Sequence, residues 1–227
     1  MERVEIIIQT FGQELSTIKC LGSIKKNSVY NPYIIWVDVG STTESRTAVL
    51  DSLQRLKLDY LSIFTEHRLE FVKAVNLAMS KVTTTHFCIL NNHTEVCKNW
   101  DKNLIYPLKQ YKSIIASGSL TTDSSSDQDI LKMSGRLQPL KNIKHVLLKT
   151  KNAESKSAII NSIFTDTEFI EMDKLDFFCI MLKSKVINEV GKLDEFSNVG
   201  YCMKIKKLGL KMVLVPTVYI ENNKDNR

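Results

Sequence analysis

The chain has 227 residues, of which 43% are hydrophobic and 25% charged, enough for one α/β domain with a substantial core and too few for two of ordinary size. Its net charge of +6 comes from lysines spread over most segments, so charge alone identifies no class of partner. No apolar stretch approaches the roughly 20 residues that span a bilayer. Five scattered cysteines without a CxxC pair favour reduced thiols over a disulfide framework or a zinc site. The composition predicts a cytoplasmic protein without a transmembrane segment.

The first half of the chain alternates short apolar runs with amphipathic segments. The runs predict strands at residues 4–10, 32–41, 58–65, 86–90 and 111–119. The segments between them predict helices at residues 15–24, 45–56, 68–82 and 100–111. Continuous apolar runs are typical of strands buried on both faces. The pattern therefore predicts an α/β fold, with a mostly parallel central sheet and helices on both faces.

The second half is less regular. Residues 120–129 are rich in serine and aspartate and are interpreted as a mobile loop. Residues 130–173 show no clear period and contain strand-like pieces such as 145–149. A buried strand is predicted at 176–184, followed by a helix that ends near Gly209 and a strand that ends at Pro216.

Four stretches, in this order, resemble the family-2 glycosyltransferases with a GT-A fold. They are VEIIIQTF, IIWVDVGSTTES, RLEFVKAVNLAMSKVTTTHFCILNNHTEV and FFCIMLKSKVINEVGKLDEFSNVGYCMKIKKLGLKMVLVP. The resemblance implies one domain over residues 1–227, made of a nucleotide-binding half (1–118), a variable insertion (119–174) and an acceptor-side half (175–227). It also implies transfer of a sugar from a nucleoside-diphosphate sugar to an acceptor, with inversion at the anomeric carbon.

The resemblance assigns nucleoside-binding roles to residues at the ends of the first two strands. Gln9 and Phe11 match positions that line the nucleoside pocket, and a core position is the alternative for Phe11. Asp38 matches the first carboxylate of the Asp-x-Gly-Ser turn, where a structural cap is the alternative. Gly40 and Ser41 complete that turn.

The metal motif of the family, Asp-x-Asp, aligns with Asn91, Asn92 and His93. Imidazole binds manganese-like ions, so His93 is the candidate ligand for a divalent cation, Mn or Mg, and a hydrogen-bonded loop histidine is the alternative. Asn91 and Asn92 are assigned to nucleotide-sugar binding, since an amide supplies no charge. Arg68 is a candidate for the diphosphate because a guanidinium forks onto phosphate oxygens, and a solvated helix start is the alternative.

The catalytic base of the family is a carboxylate in the closing half of the chain. Relatives carry acids where this chain has Ser197, Asn198, Val199 and Gly200. Glu195 and Asp194, just upstream, are therefore the candidates for the base, and structural acids of a turn are the alternative.

Two functions follow from the resemblance. The first is a glycosyltransferase whose acceptor, a glycan, lipid or protein, is unidentified. The second is a degenerate relative that retains the fold and serves as a nucleotide-sugar-binding or assembly module. No nucleic-acid partner is expected, because only the charge favours one.

Overall fold

The protein is described by a computed structural model that covers residues 2–165, 168–193 and 198–223. The strands in these ranges are β1 (Arg3–Thr10), β2 (Asn31–Val39), β3 (Asp59–Thr65), β4 (His86–Leu90), β5 (Thr94–Val96), β6 (Ile114–Leu120), β7 (Ile170–Met172), β8 (Cys179–Lys183) and β9 (Lys211–Asn222). The helices are α1 (Glu14–Asn27), α2 (Thr43–Arg55), α3 (Phe71–Met79), α4 (Trp100–Gln110), α5 (Ile130–Met133), α6 (Gln138–Lys149), α7 (Ala153–Asn161), α8 (Val186–Glu189) and α9 (Asn198–Lys207). Within the same ranges no helix is both long and apolar enough to cross a membrane.

The strands join in one mixed sheet. Its order is β3-β2-β1-β4-β8-β6-β9-β5, and β7 also pairs with β9. The first four strands in this order run parallel, with β1 between β2 and β4. The mostly parallel α/β fold predicted from the sequence is confirmed. The carboxyl ends of β1, β2 and β4 consequently lie side by side at one edge, where open α/β sheets bind ligands.

β8 enters the sheet from the far end of the chain. It runs antiparallel to both β4 and β6 and separates them, so β6 keeps the direction of β4 without touching it. Its residues 179–182 are fully buried, which suits a strand covered on both faces.

Helices cover both faces because alternate residues of the inner strands point to opposite cores. Ile7 packs in the core that contains α3, α6 and α7. Ile6 and Ile8 pack in the core that contains α1, α2 and α4. This explains why β1 is an unbroken apolar run.

Two predictions for the second half are wrong. Residues 145–149 belong to α6, because Leu140 and Leu147 are spaced for one buried helical face, and a short apolar piece cannot by itself be distinguished from a strand. β9 continues past Pro216 to Asn222. The β6–β9 register shifts between Ser119 and Leu120, and an irregularity of this kind accommodates a proline that has no N–H to donate.

Three further differences affect the site. The predicted helix at 68–82 is limited to α3, and residues 68–70 precede it in an extended segment. β5 was not predicted, and it pairs antiparallel with β9. In the 120–129 loop, the buried Gln128 donates to the Ser119 carbonyl at 2.7 Å, so the loop is packed against β6.

Candidate functional site

A cavity of about 700 Å³ opens at the carboxyl edge of β1 and β4. It is lined by Gln9, Phe11 and Gln13 from the end of β1 and the start of α1, by residues 68–71, and by residues 91–93 after β4. Its size falls within the roughly 300–1,000 Å³ of small-molecule sites. Six of the predicted binding residues therefore share one cavity: Gln9, Phe11, Arg68, Asn91, Asn92 and His93.

Phe11 and Arg68 form one wall of this cavity. The guanidinium carbon of Arg68 lies 4.6 Å from the centroid of the Phe11 ring, within the range of a cation–π contact. The Phe11 side chain is 46% exposed, so it is not the core residue that was its alternative interpretation. The pair presents an aromatic face next to a positive charge, a combination suited to a nucleobase and its phosphates.

Asp38, in contrast, is buried behind the cavity and does not line it. Its carboxylate accepts hydrogen bonds from Arg46 Nε at 2.7 Å, from Thr10 Oγ1 at 3.0 Å, and from both the backbone N–H and the hydroxyl of Ser41. These contacts fasten the ends of β1 and β2 and the start of α2 to one another. Arg46 was missed in the sequence, although its position in the first turn of a helix that follows an acidic turn was a usable signal.

Ser41 and Gly40 connect this buried network to the cavity walls. The Ser41 hydroxyl accepts from the Gly12 N–H at 2.7 Å, which holds the loop that carries Phe11. Gly40 has a φ of 89°, and a Cβ there would lie 3.3 Å from the backbone nitrogen of Arg68. The turn therefore supports both Phe11 and Arg68 from behind without itself lining the cavity.

Residues 91–93 point in different directions. Asn91 lies between this cavity and a smaller one, and its backbone is fixed by the segment before β8, since its N–H donates to the Phe178 carbonyl at 2.9 Å. The Asn92 amide turns toward α1 and donates to Thr17 Oγ1 at 3.1 Å. His93 Nδ1 lies 3.3 Å from Asn92 Oδ1. The strand end thus offers amides and one imidazole rather than carboxylates.

The smaller cavity, of about 270 Å³, shares Phe71 and Asn91 with the larger one. Its polar wall contains Asp176, whose carboxylate accepts from Ser126 Oγ at 2.6 Å and from the Asp127 N–H at 3.0 Å. Asp176 was missed because its role depends on β8 lying next to β4. Its position at the start of the buried strand predicted at 176–184 was the only signal in the sequence.

The two candidate bases, Asp194 and Glu195, lie outside the described residues. The chain leading to them is anchored to α3, because the Leu193 N–H donates to Asn76 Oδ1 at 2.8 Å and its carbonyl accepts from Asn76 Nδ2 at 3.1 Å. Asn76 thereby ties α3, beside the cavity, to the segment that leads to residue 193.

The sequence profile named "Glycosyl transferase family 2" matches residues 5–190. The chain belongs to glycosyl transferase family 2. No curated protein matches it significantly. The family membership agrees with the resemblance carried by the strand ends and the 68–96 stretch.

Two solved structures resemble this family-2 chain. One is the crystal structure of GalNAc-T7 with UDP, GalNAc and Mn2+, with a TM-score of 0.70 and 16% identity over 98% of this chain and 44% of that one. The other is the mannosyltransferase PcManGT from Pyrobaculum calidifontis in complex with GDP-Man and Mn2+, with a TM-score of 0.69 and 15% identity over 99% of this chain and 58% of that one. At these identities the likeness establishes the GT-A fold. The chain spans about half the length of both structures.

Both structural neighbours carry Mn2+, so we asked whether residues of this chain fit a divalent cation. Hard cations of this kind take most of their affinity from anionic oxygen ligands. Among residues 2–165, 168–193 and 198–223, no three His, Cys, Asp or Glu side chains are grouped so as to hold a metal ion. His93 alone is a possible ligand, and the described residues around it do not complete a site for a divalent cation.

Proposed function

We propose that the larger cavity binds a nucleoside-diphosphate sugar and that the chain transfers the sugar to an acceptor hydroxyl. The observation that carries this proposal is the convergence of Phe11, Arg68 and Asn91, from three separate loops, on one cavity at the carboxyl edge of the sheet. The base would stack near Phe11, the diphosphate would lie near Arg68, and the sugar would extend past Asn91. Gln9 would supply a further hydrogen bond, whereas the Asn92 amide is already engaged by Thr17 and Gln13.

The smaller cavity supports this orientation of the sugar. It continues from Asn91 to Asp176 and Ser126, and it is also lined by Phe71, Phe177 and Phe178. Carboxylate and hydroxyl groups bond to sugar hydroxyls, while aromatic rings pack against the apolar face of a sugar ring. In the proposed complex the Asp176 carboxylate would accept hydrogen bonds from the sugar.

The proposed reaction is a single displacement. The acceptor oxygen forms a bond to the anomeric carbon, the bond from that carbon to the diphosphate oxygen breaks, and the diphosphate leaves with the electron pair. The acceptor proton passes to a carboxylate base, for which Glu195 and Asp194 are the candidates. Attack opposite the leaving group inverts the anomeric centre. Fixed positive charge at the diphosphate stabilises the leaving group.

A second candidate function is a nucleotide-sugar-binding module without transferase activity. The observation that favours it is the amide character of residues 91 and 92, together with the absence of a metal-ligand group among the residues that the structure describes. A module of this kind would bind the nucleotide sugar at the Phe11–Arg68 wall and would not transfer the sugar.

Calorimetry with UDP, GDP, ADP and their sugar derivatives tests the proposal. Release of the free nucleoside diphosphate from its sugar derivative measures turnover. We expect one nucleotide series to bind, and we expect His93→Ala to weaken binding while His145→Ala, on an exposed face of α6, leaves it unchanged. Binding with slow release of diphosphate, accelerated by an acceptor, supports the transferase. Binding without turnover for any acceptor supports the module, and no binding of any nucleotide overturns both functions.

The catalytic base is tested with Glu195→Gln and Asp194→Asn. Removal of a general base lowers kcat by about 10²- to 10⁴-fold while nucleotide affinity stays the same. Unchanged kcat in both variants would exclude both residues from the role.

A further inference from the structure

We propose that this chain binds its nucleoside diphosphate without a divalent cation, and that the Arg68 guanidinium supplies the positive charge that a cation would supply elsewhere. The inference rests on the proposed function, since it concerns the diphosphate of the same ligand. It departs from both structural neighbours, whose structures contain Mn2+.

The side chains of residues 91–93, after β4, include no carboxylate. The Asn92 amide is buried and donates to Thr17 Oγ1 at 3.1 Å and to Gln13 Oε1 at 3.4 Å, and its oxygen lies 3.3 Å from His93 Nδ1. Both donated hydrogen bonds are on the α1 side. Residues 91–93 thus offer a cation only neutral ligands, which bind hard divalent ions weakly.

The carboxylates of Glu221 and Asp38 already have cationic partners. Glu221, on the strand that pairs with β5, is held by Lys156 Nζ at 2.7 Å and by Thr122 Oγ1 at 3.0 Å. Asp38 is held by Arg46 at 2.7 Å. Both charges are already compensated by a cationic side chain, so moving either to a metal would leave a lysine or arginine without its partner.

Asp176 is similarly engaged, with Lys174 Nζ at 3.4 Å in addition to its bonds to Ser126 and Asp127. Glu70 is the one acidic side chain among the residues that line the larger cavity within the described ranges. A lone exposed carboxylate does not form a hard-cation site.

Arg68 brings a positive charge to the wall of the larger cavity. Its guanidinium rests on the Phe11 ring at 4.6 Å, and within the described part of the chain it forms no ion pair with a carboxylate. Arg3 and Arg46, in contrast, are paired with Glu5 and Asp38. The charge of Arg68 therefore faces the cavity uncompensated, and its planar fork matches two phosphate oxygens.

The test compares calorimetric titrations of UDP and GDP in EDTA and in millimolar MnCl₂, for the wild-type chain and three variants. We expect Kd to agree within about twofold between the two conditions. Arg68→Ala is expected to weaken diphosphate binding by roughly tenfold or more, the value of a charged hydrogen bond, and Arg68→Lys by less. Arg55→Ala, which removes one exposed charge at the end of α2, is the matched control and should have no effect.

The monophosphates UMP and GMP add a second readout. Arg68→Ala should weaken their binding less than that of the diphosphates, because the proposed contact is with the second phosphate as well as the first. This difference distinguishes a phosphate contact from a general loss of folding.

Three results would overturn the inference in different ways. If Mn2+ tightens wild-type binding by about tenfold or more, the proposed function stands and cation independence is wrong. If Arg68→Ala binds like the wild type, the proposed function stands and the role assigned to Arg68 is wrong. If no nucleotide binds in either condition, the proposed function itself is wrong and this inference falls with it.

Discussion

The Arg68 guanidinium lies 4.6 Å above the Phe11 ring, and it joins two loops that are distant from each other in the sequence. A ring has two faces, and the cation covers one of them. A nucleobase in the cavity would therefore use the remaining face or the edge of Phe11, with its phosphates within reach of the same arginine. In the proposed complex this wall binds the base and the phosphates as one unit.

Phe11→Leu should weaken binding of nucleotides and leave the binding of inorganic pyrophosphate unchanged. Stacking of a base on an aromatic ring contributes about 1–3 kcal/mol, so an increase in Kd of about tenfold is expected. Phe64→Leu is a close control, since Phe64 is also 45% exposed and also lies beneath an arginine, Arg46 at 5.0 Å, outside the cavity. Equal effects of the two substitutions on nucleotide affinity would contradict the stacking role.

Gly40→Ala should impair both stability and nucleotide binding. The left-handed backbone at φ 89° costs an alanine about 1–2 kcal/mol, and the new Cβ would also press on the Arg68 nitrogen at 3.3 Å. Gly191 has the same φ, and a Cβ added there would meet no atom of the described residues within 4 Å, so Gly191→Ala isolates the backbone cost. Urea unfolding should show a loss for both variants, and calorimetry a loss of UDP affinity for Gly40→Ala alone. Normal affinity in Gly40→Ala would show that the turn does not position Arg68.

Lys156 should be essential to stability through its partners on β9 and in the 120–129 loop. Its Nζ lies 2.7 Å from Glu221 Oε2 and 3.2 Å from the Tyr219 hydroxyl, and the lysine side chain is 8% exposed. Lys156→Met leaves a largely buried carboxylate without its cation, which costs about 3 kcal/mol. The double substitution Lys156→Met with Glu221→Gln should restore part of that loss in chemical denaturation.

The comparison for this pair is Lys26→Met, which breaks the exposed pair of Lys26 and Glu154 between α1 and α7. Solvent screens that pair, so its loss should leave the unfolding midpoint unchanged. A similar loss of stability in Lys26→Met and Lys156→Met would argue against the buried network. So would a double variant, Lys156→Met with Glu221→Gln, that is less stable than Lys156→Met.

His86 should make stability fall in mild acid. Burial lowers the pKa of His86 to about 4, and the nearby positive charges of Lys109 and Lys183 act in the same direction. The negative charge of Glu2 opposes them. The unfolded chain binds a proton near pH 6.5 and the folded chain only near pH 4, so this stability is complete above pH 6.5 and is lost as the pH falls from 6.5 to 4. The loss at about pH 4.5 should be about 2 kcal/mol relative to pH 7.

His86→Gln removes this titration, so the difference in unfolding free energy between about pH 7 and pH 4.5 should shrink by that amount. His145→Gln, at an exposed position, should keep the wild-type difference. Identical pH dependence in all three proteins would show that His86 titrates normally in the folded state.

The sequence by itself determined the half of the fold that carries the larger cavity. The apolar runs of β1, β2 and β4 are long enough to be buried on both faces, and burial on both faces in a strand–helix alternation leads to parallel neighbours. Polar residues at the ends of such strands must meet at one edge. The grouping of Phe11, Arg68 and residues 91–93 in one cavity follows from that geometry.

Only the tertiary structure decided which partners those residues have. The periodicity of a sequence shows that a strand is buried but not which strand lies next to it. The position of β8 between β4 and β6 could therefore not be predicted from the sequence, nor could the position of Asp176 beside Asn91. For the same reason the stacking of Arg68 on Phe11 could not be predicted. Each of these contacts joins segments that only the folded chain as a whole brings together. There the free energy of packing outweighs the local conformational preference of each segment.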